Sequence, residues 1–272
     1  MPQDRSFQVT HKDRSVLGPL AEHRILIAPQ LAVLLGVTEE TAGRRLQRLR
    51  AHGLVRYRRI IDGGPRAASI TEEGLRLLGH PGVVPTDNPG AYRHDVGTGW
   101  LWLGARNGAF GVLRSVTTER ELRIADKAGR RTPEGSPHGF GLGMLGPHGH
   151  PQRHYPDLLL HTVSGHQVAV ELELTAKSRQ RMSRIMTAYA SDPRIDAVVY
   201  LVPTQHLATL VSDAARRAGI SDLVDIRMIA GDRIHGVGED GSRSRAFSRG
   251  TPTAGRPHGG LRERNAELGA AR

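Results

Sequence analysis

The sequence predicts an α/β protein in two parts, a small helical module ending in a hairpin and a larger mixed-sheet domain. Three observations predict it. Apolar residues recur at helical spacing over residues 31–54, period-two alternation follows at 55–70 and again at 168–174, and a proline- and glycine-rich stretch separates the two regions. At 272 residues the chain has room for two domains of ordinary size.

Composition narrows the function. Thirty-eight Lys plus Arg stand against 27 Asp plus Glu, for a formal charge of +11, and only three of the cations are lysine. Arginine's planar fork suits phosphates and guanine edges, so a polyanionic partner, DNA, is expected. There is no run of 18 apolar residues, and the start "MPQDRSFQVTHKDRS" has no apolar signal core. A cytoplasmic protein with no membrane association is therefore expected. The absence of cysteine excludes disulfides, thiol catalysis and cysteine-ligated metals. With only 11 aromatic residues, stacking of bases on exposed rings is not expected.

In chain order, residues 1–20 read as a poorly ordered arm. The segment "HRILIAPQLAVLLGVTEETAGRRLQRLRAHGLVRYRRIIDGGPRAASITEEGLRLL" reads as helix, helix, turn, helix and hairpin, with Thr71 capping a further helix. Leu31, Leu34 and Leu35 share one helical face, and "LGVT" supplies a glycine turn with Thr38 as N-cap. Leu46, Leu49 and Leu54 make the next stripe, which leaves Arg44, Arg45, Arg48 and Arg50 on other faces. This order, over residues 20–79, resembles a winged helix-turn-helix domain. The resemblance implies that the helix from Thr38 to about Ala51 enters a major groove, presenting Glu39, Glu40, Thr41, Arg44, Arg45 and Arg48. The hairpin, with Arg56, Arg58, Arg59 and Arg66, then follows phosphates or reaches the minor groove. The plainer alternative is a protein-interaction module with a solvated basic face. Domains of this kind often dimerise, so a homodimer is a candidate assembly.

"GHPGVVPTDNPG", residues 79–90, sets the domain boundary. The stretch from Ala91 to about Ala125 reads as two helices, with Thr118 and Glu121 as a capping box and Glu119 in the first turn. His94 and Asp95 read as polar residues at a helix start. Residues 129–156 read as a long mobile loop whose histidines, His138, His148, His150 and His154, lack zinc-ligand spacing.

The stretch "RHYPDLLLHTVSGHQVAVELELTAKS" carries the chemistry. Asp157 begins an apolar strand, "VSGHQ" turns, and the returning strand places Val168, Val170, Leu172 and Leu174 on one face and Ala169, Glu171 and Glu173 on the other. A hairpin here brings Asp157 towards Glu171. One reading is a solvated strand face. The other is a carboxylate cluster neutralised by Mg2+ or Mn2+, with a metal-bound water able to attack phosphorus. Beyond it, Met182, Ile185, Met186 and Tyr189 form a helical stripe, with Tyr189 read as core rather than as a nucleophile. "IDAVVYLVP" reads as a buried central strand, "HLATLVSDAARRAG" as a helix and "VDIRMIA" as a strand. The tail, residues 241–272, has seven arginines and two glutamates and reads as disordered and attracted to nucleic acid.

Pro156-Asp157, then Glu171-x-Glu173, then a helix, resembles the PD-(D/E)xK nuclease superfamily of restriction-endonuclease-like fold over residues 91–236. With the N-terminal module and the phrases "RHD", "TTEREL", "RHYPDLLL" and "VAVELELTAKS", residues 20–230 are similar to the replication-relaxation family. The resemblance implies an N-terminal winged helix-turn-helix followed by a restriction-endonuclease-like mixed-sheet domain. It further implies a DNA-binding endonuclease that nicks or cleaves with Mg2+ or Mn2+ in plasmid or mobile-element replication or transfer, beside other replication or transfer proteins. Glu119, Asp157 and Glu171 then match the metal-side residues. Glu173 stands where the catalytic lysine usually is, and Lys177 matches a lysine migrated to the following helix, positioned to orient water or stabilise the transition state. The alternative is a non-catalytic regulator or replication accessory protein that retains a degenerate nuclease-like domain. Asp157 and Glu171 converging with Lys177 on one hollow favours catalysis; a Lys177–Glu173 salt bridge pointing away from Asp157 favours the regulator.

Overall fold

A computed structural model describes residues 8–129, 141–145 and 151–230. The tail and His138, His148 and His150 lie outside the described residues.

The N-terminal part comprises α1 (His11–Glu22), β1 (Leu26–Ile27), α2 (Ala28–Leu35), α3 (Glu39–Ala51), β2 (Val55–Arg59), β3 (Arg66–Ile70) and α4 (Glu72–Leu78). The expectation of a disordered arm is overturned by α1. Thr10 and Asp13 cap it reciprocally, and Val16, Leu17, Leu20 and Ala21 are buried. Gly18 and Pro19 interrupt its apolar stripe and hide the helix from a periodicity reading. A second correction follows at residues 26–27, where a helix was expected and a strand forms. Ile25, just before the strand, and Ile27, within it, are β-branched and favour extended backbone, and Pro29 sits in the first turn of α2, where a missing N–H costs nothing. Thr38 and Thr71 cap α3 and α4 through their side chains. The strands pair antiparallel in the order β1-β3-β2.

Beyond a short 3-10 turn, the second part comprises α5 (Tyr92–Arg106), β4 (Leu113–Thr118), α6 (Glu119–Gly129), β5 (Leu142–Leu145), β6 (Pro151–His154) and β7 (Leu158–Thr162). It continues through β8 (Gln167–Leu172), α7 (Arg179–Ser191), β9 (Ala197–Val202), α8 (Gln205–Arg217) and β10 (Val224–Met228). Its five-stranded sheet runs β10-β9-β8-β7-β4, with β8, β9 and β10 parallel and β7 antiparallel to both neighbours. The sequence reading missed β4. Part of the supposed loop is the antiparallel pair β5–β6, which brings Leu142 opposite His154.

Both faces of this sheet are covered. Leu159, Ala169, Val198, Tyr200 and Val202 pack with α7 and α8, whereas Leu158, Leu160, Val170, Leu172, Val199 and Leu201 pack with α5. The second cluster also takes in Ile25, Ile27 and Ala67, so the N-terminal part shares a core with the sheet. The proline-rich connection is anchored: Arg56 donates to the Pro85 carbonyl, Arg58 pairs with Asp87, and Arg120 donates to the Val83 carbonyl.

Candidate functional site

Two regions gather the residues singled out by sequence. The first lies at the start of β7 and the end of β8. Asp157 precedes β7, and its Oδ2 accepts the Leu172 N–H at 2.7 Å, so the side chain extends the ladder beyond the Leu158–Val170 pair. His94 Nε2, from the first turn of α5, lies 3.2 Å from the same oxygen. Burial opposes protonation of His94, but the charge and hydrogen bond of Asp157, aided by Asp95, outweigh it and raise its pKa to about 10.

Glu171 and Glu173 are each only 3% exposed. This overturns the solvated-face reading: the alternation holds, but the face opposite the apolar residues is covered by α7 and β6. A buried carboxylate is costly unless it is paired and hydrogen-bonded. Glu171 Oε1 lies 2.6 Å from His154 Nε2 and accepts the Tyr189 hydroxyl. Burial would raise the Glu171 pKa, yet His154, Lys177 and the Tyr189 bond hold it below its ordinary value, while the His154 pKa is raised in turn. The two form an ion pair. Glu173 pairs with Lys177, four residues on in the loop before α7; burial still pushes its pKa up, with Glu171 and Asp157 adding to the effect.

Tyr189 is fully buried, and burial together with the Glu171 charge holds its phenol protonated, consistent with packing and donation rather than nucleophilic attack. The Tyr200 hydroxyl is buried with no hydrogen-bond partner among the described residues, and burial and the charges of Glu171, Glu173 and Asp157 push its pKa well above the ordinary value.

Glu119 joins this region through its backbone, whose N–H donates to the Asp157 carbonyl at 3.0 Å, and it lines a small cleft with His94, Asp95 and Asp157. Its carboxylate turns to Arg123 at 2.6 Å and Arg24 at 3.6 Å. The side chains therefore do not fit a divalent cation as they stand. Asp157, Glu171 and Glu173 are committed to His94, His154 and Lys177, Glu119 faces two arginines, and among the described residues no group of three or more His, Asp or Glu is placed to hold a metal ion.

The second region is basic. The start of α1 and the exposed side of α3 border an open groove of about 600 Å3 lined by Lys12, Thr41, Arg44, Arg45 and Arg48. Asp13, wholly buried, pairs with Arg48 and lies 3.5 Å from Arg45, so these two arginines are tethered to the core, whereas Arg44, 70% exposed, lies 3.6 Å from the exposed Glu40. Thr41 accepts from Arg44 at 3.3 Å. On the hairpin, Arg56 and Arg58 are taken up by residues 85–87, while Arg59 and Arg66 stand directly opposite one another, both exposed. The Arg66 guanidinium lies 5.8 Å from the Tyr57 ring centre.

Sequence reading missed His94 and His154 as partners of the acids, and Asp13 as the tether of α3. For Asp13 the signal was present, because Thr10-x-x-Asp13 has capping-box spacing. No protein-family model matches the chain, and no curated protein matches it. Among the described residues no helix is long and apolar enough to cross a membrane.

Proposed function

We propose that the protein is a DNA-binding regulator or replication accessory protein that takes up duplex DNA on α3 and the β2–β3 hairpin. The observation that carries this reading is the Arg59–Arg66 pair. Like charges directly opposite on neighbouring strands repel, and a polyanion removes the repulsion. The helix-strand-helix-helix-hairpin order supports a winged helix-turn-helix assignment, with Arg44 reaching bases or phosphates and the tethered Arg45 and Arg48 holding the groove's shape. In this reading the acidic region is a structural core of a nuclease-like domain, its charges balanced from within by His94, His154 and Lys177.

A second reading, metal-dependent phosphodiester hydrolysis by nicking or cleavage, is favoured by one observation: Asp157, Glu171 and Glu173 come together at one end of two adjacent strands and act electrostatically on one another. In it Asp157, Glu171 and Glu119 would hold Mg2+ or Mn2+ after exchanging their present partners, His94, His154 and the arginines Arg24 and Arg123, and Lys177 would be the cation beside them.

Two measurements separate the readings. In a gel-shift series against duplex DNA, Arg59→Ala/Arg66→Ala weakens retention about tenfold or more and lowers the salt dependence by about two phosphate contacts; unchanged affinity removes the hairpin from the interface. Supercoiled plasmid incubated with Mg2+, Mn2+ or EDTA remains intact if the regulator reading holds. Nicking that requires the metal and disappears in Asp157→Asn, which keeps an acceptor for the Leu172 N–H, establishes hydrolysis instead.

A further inference from the structure

A second cavity lies between residues 81–85 of the connection and the outer side of α6. It encloses about 310 Å3, within the roughly 300–1,000 Å3 of small-molecule sites. Four cations line it, Arg24, Arg120, Arg123 and Lys127, against one carboxylate, Glu119, which Arg24 and Arg123 already neutralise. Arg120 is fixed in place. Its Nε donates to the Ala21 carbonyl at 2.6 Å and a terminal nitrogen donates to the Val83 carbonyl, so its guanidinium spans the end of α1, the connection and α6. Burial, and then the neighbouring Arg24 charge, lower the Arg120 pKa. Crowded guanidinium groups of this kind are relieved by an anion, and phosphate oxygens suit the guanidinium fork. Apolar side chains line it as well, Ile124 from α6 and Val83, 64% exposed, from the connection.

We propose that this cavity binds the phosphate of a single nucleotide, with the nucleoside packing against Val83 and Ile124. A volume of about 310 Å3 suits one nucleotide rather than a duplex, and an anchored guanidinium reduces the ordering cost of binding. The nucleotide comes either from a free pool or from the phosphorylated end of a DNA strand, and the same chemistry recognises both. The inference stands apart from the duplex-binding reading, because neither α3 nor the hairpin contributes to the cavity.

The full-length protein is titrated calorimetrically with AMP. In parallel, fluorescence anisotropy follows fluorescein-labelled tetrathymidylate with either a 5′-phosphate or a 5′-hydroxyl. Saturable AMP binding identifies a free nucleotide as ligand; preference for the phosphorylated oligonucleotide identifies a strand end. In either case Arg24→Ala/Lys127→Ala weakens binding at least tenfold. Thermal denaturation checks that each variant is folded, and Lys127→Ala alone, an exposed position, serves if the double variant is not. The proposal is overturned if neither probe saturates at millimolar concentration, if both oligonucleotides bind equally and AMP does not bind, or if the cavity variants bind as the parent does.

Discussion

His23 sits where α1 ends, its ring edge-on to Trp102 with centroids 4.8 Å apart and its Nε2 without a partner among the described residues. Burial, reinforced by the Arg120 charge, lowers its pKa to about 3, so the folded protein holds it neutral. A lowered folded-state pKa contributes stability that is present above the unfolded value, near 6.5, and is lost as pH falls towards 3. Between pH 7 and pH 4.5 this single group accounts for a loss of about 2–3 kcal/mol. Urea unfolding at both pH values measures it: in His23→Leu the pH-dependent loss shrinks by that amount, and an unchanged difference would show that His23 is not the titrating group. His23 also illustrates what sequence leaves hidden at this scale. Glu171 and Glu173 were legible as one face because alternation is a local rule, but their partners come from β6 and from α7 or the residues just before it. Whether a carboxylate faces water or a histidine depends on packing that no local rule contains.

Elements were legible where they carry their own punctuation. The capping threonines of α3 and α4 and the capping box of α6 mark helix starts in the sequence, and the glycine-rich turn marks the β2–β3 hairpin. By contrast, α1 was not legible, because its stripe is short and broken by Gly18-Pro19, nor was β4, because an edge strand of half-exposed residues lacks alternation. The unseen α1 changes the account of α3. Asp13 accepts from the Thr10 N–H at 2.9 Å and the Thr10 hydroxyl at 2.7 Å while binding Arg48, so one carboxylate both caps α1 and docks α3. Asp13→Ala is expected to cost about 2–3 kcal/mol in urea unfolding, as loss of hydrogen bonds to a charged group does. Combined with Arg48→Ala, the two losses are less than additive, because both remove the same contact. Strict additivity would show that the pair does not hold α1 to α3.

For the whole molecule, the decisive joint is between α2 and α5. Gln30, 1% exposed, accepts the Ile27 N–H at 2.9 Å and donates to the Val96 carbonyl at 2.7 Å, tying the N-terminal part to the helix that covers the large sheet. Thr118 adds a second tie, donating to the Glu22 carbonyl at 3.0 Å. Gly99 makes the close approach of α5 possible: a Cβ there would lie 2.6 Å from Gln30 Nε2 and 3.0 Å from Leu26 Cδ2. The Gln30 amide is held at both ends and cannot swing aside without losing a buried hydrogen bond. Gly99→Ala is therefore expected to destabilise by about 1–3 kcal/mol, the usual cost of overpacking. Because Ile25, Ile27 and Ala67 belong to the same cluster as Trp100 and Leu172, the loss should move one cooperative urea transition to lower midpoint at constant slope. Two separated transitions, with only the N-terminal one displaced, would show instead that the parts unfold independently and that the joint does not couple them.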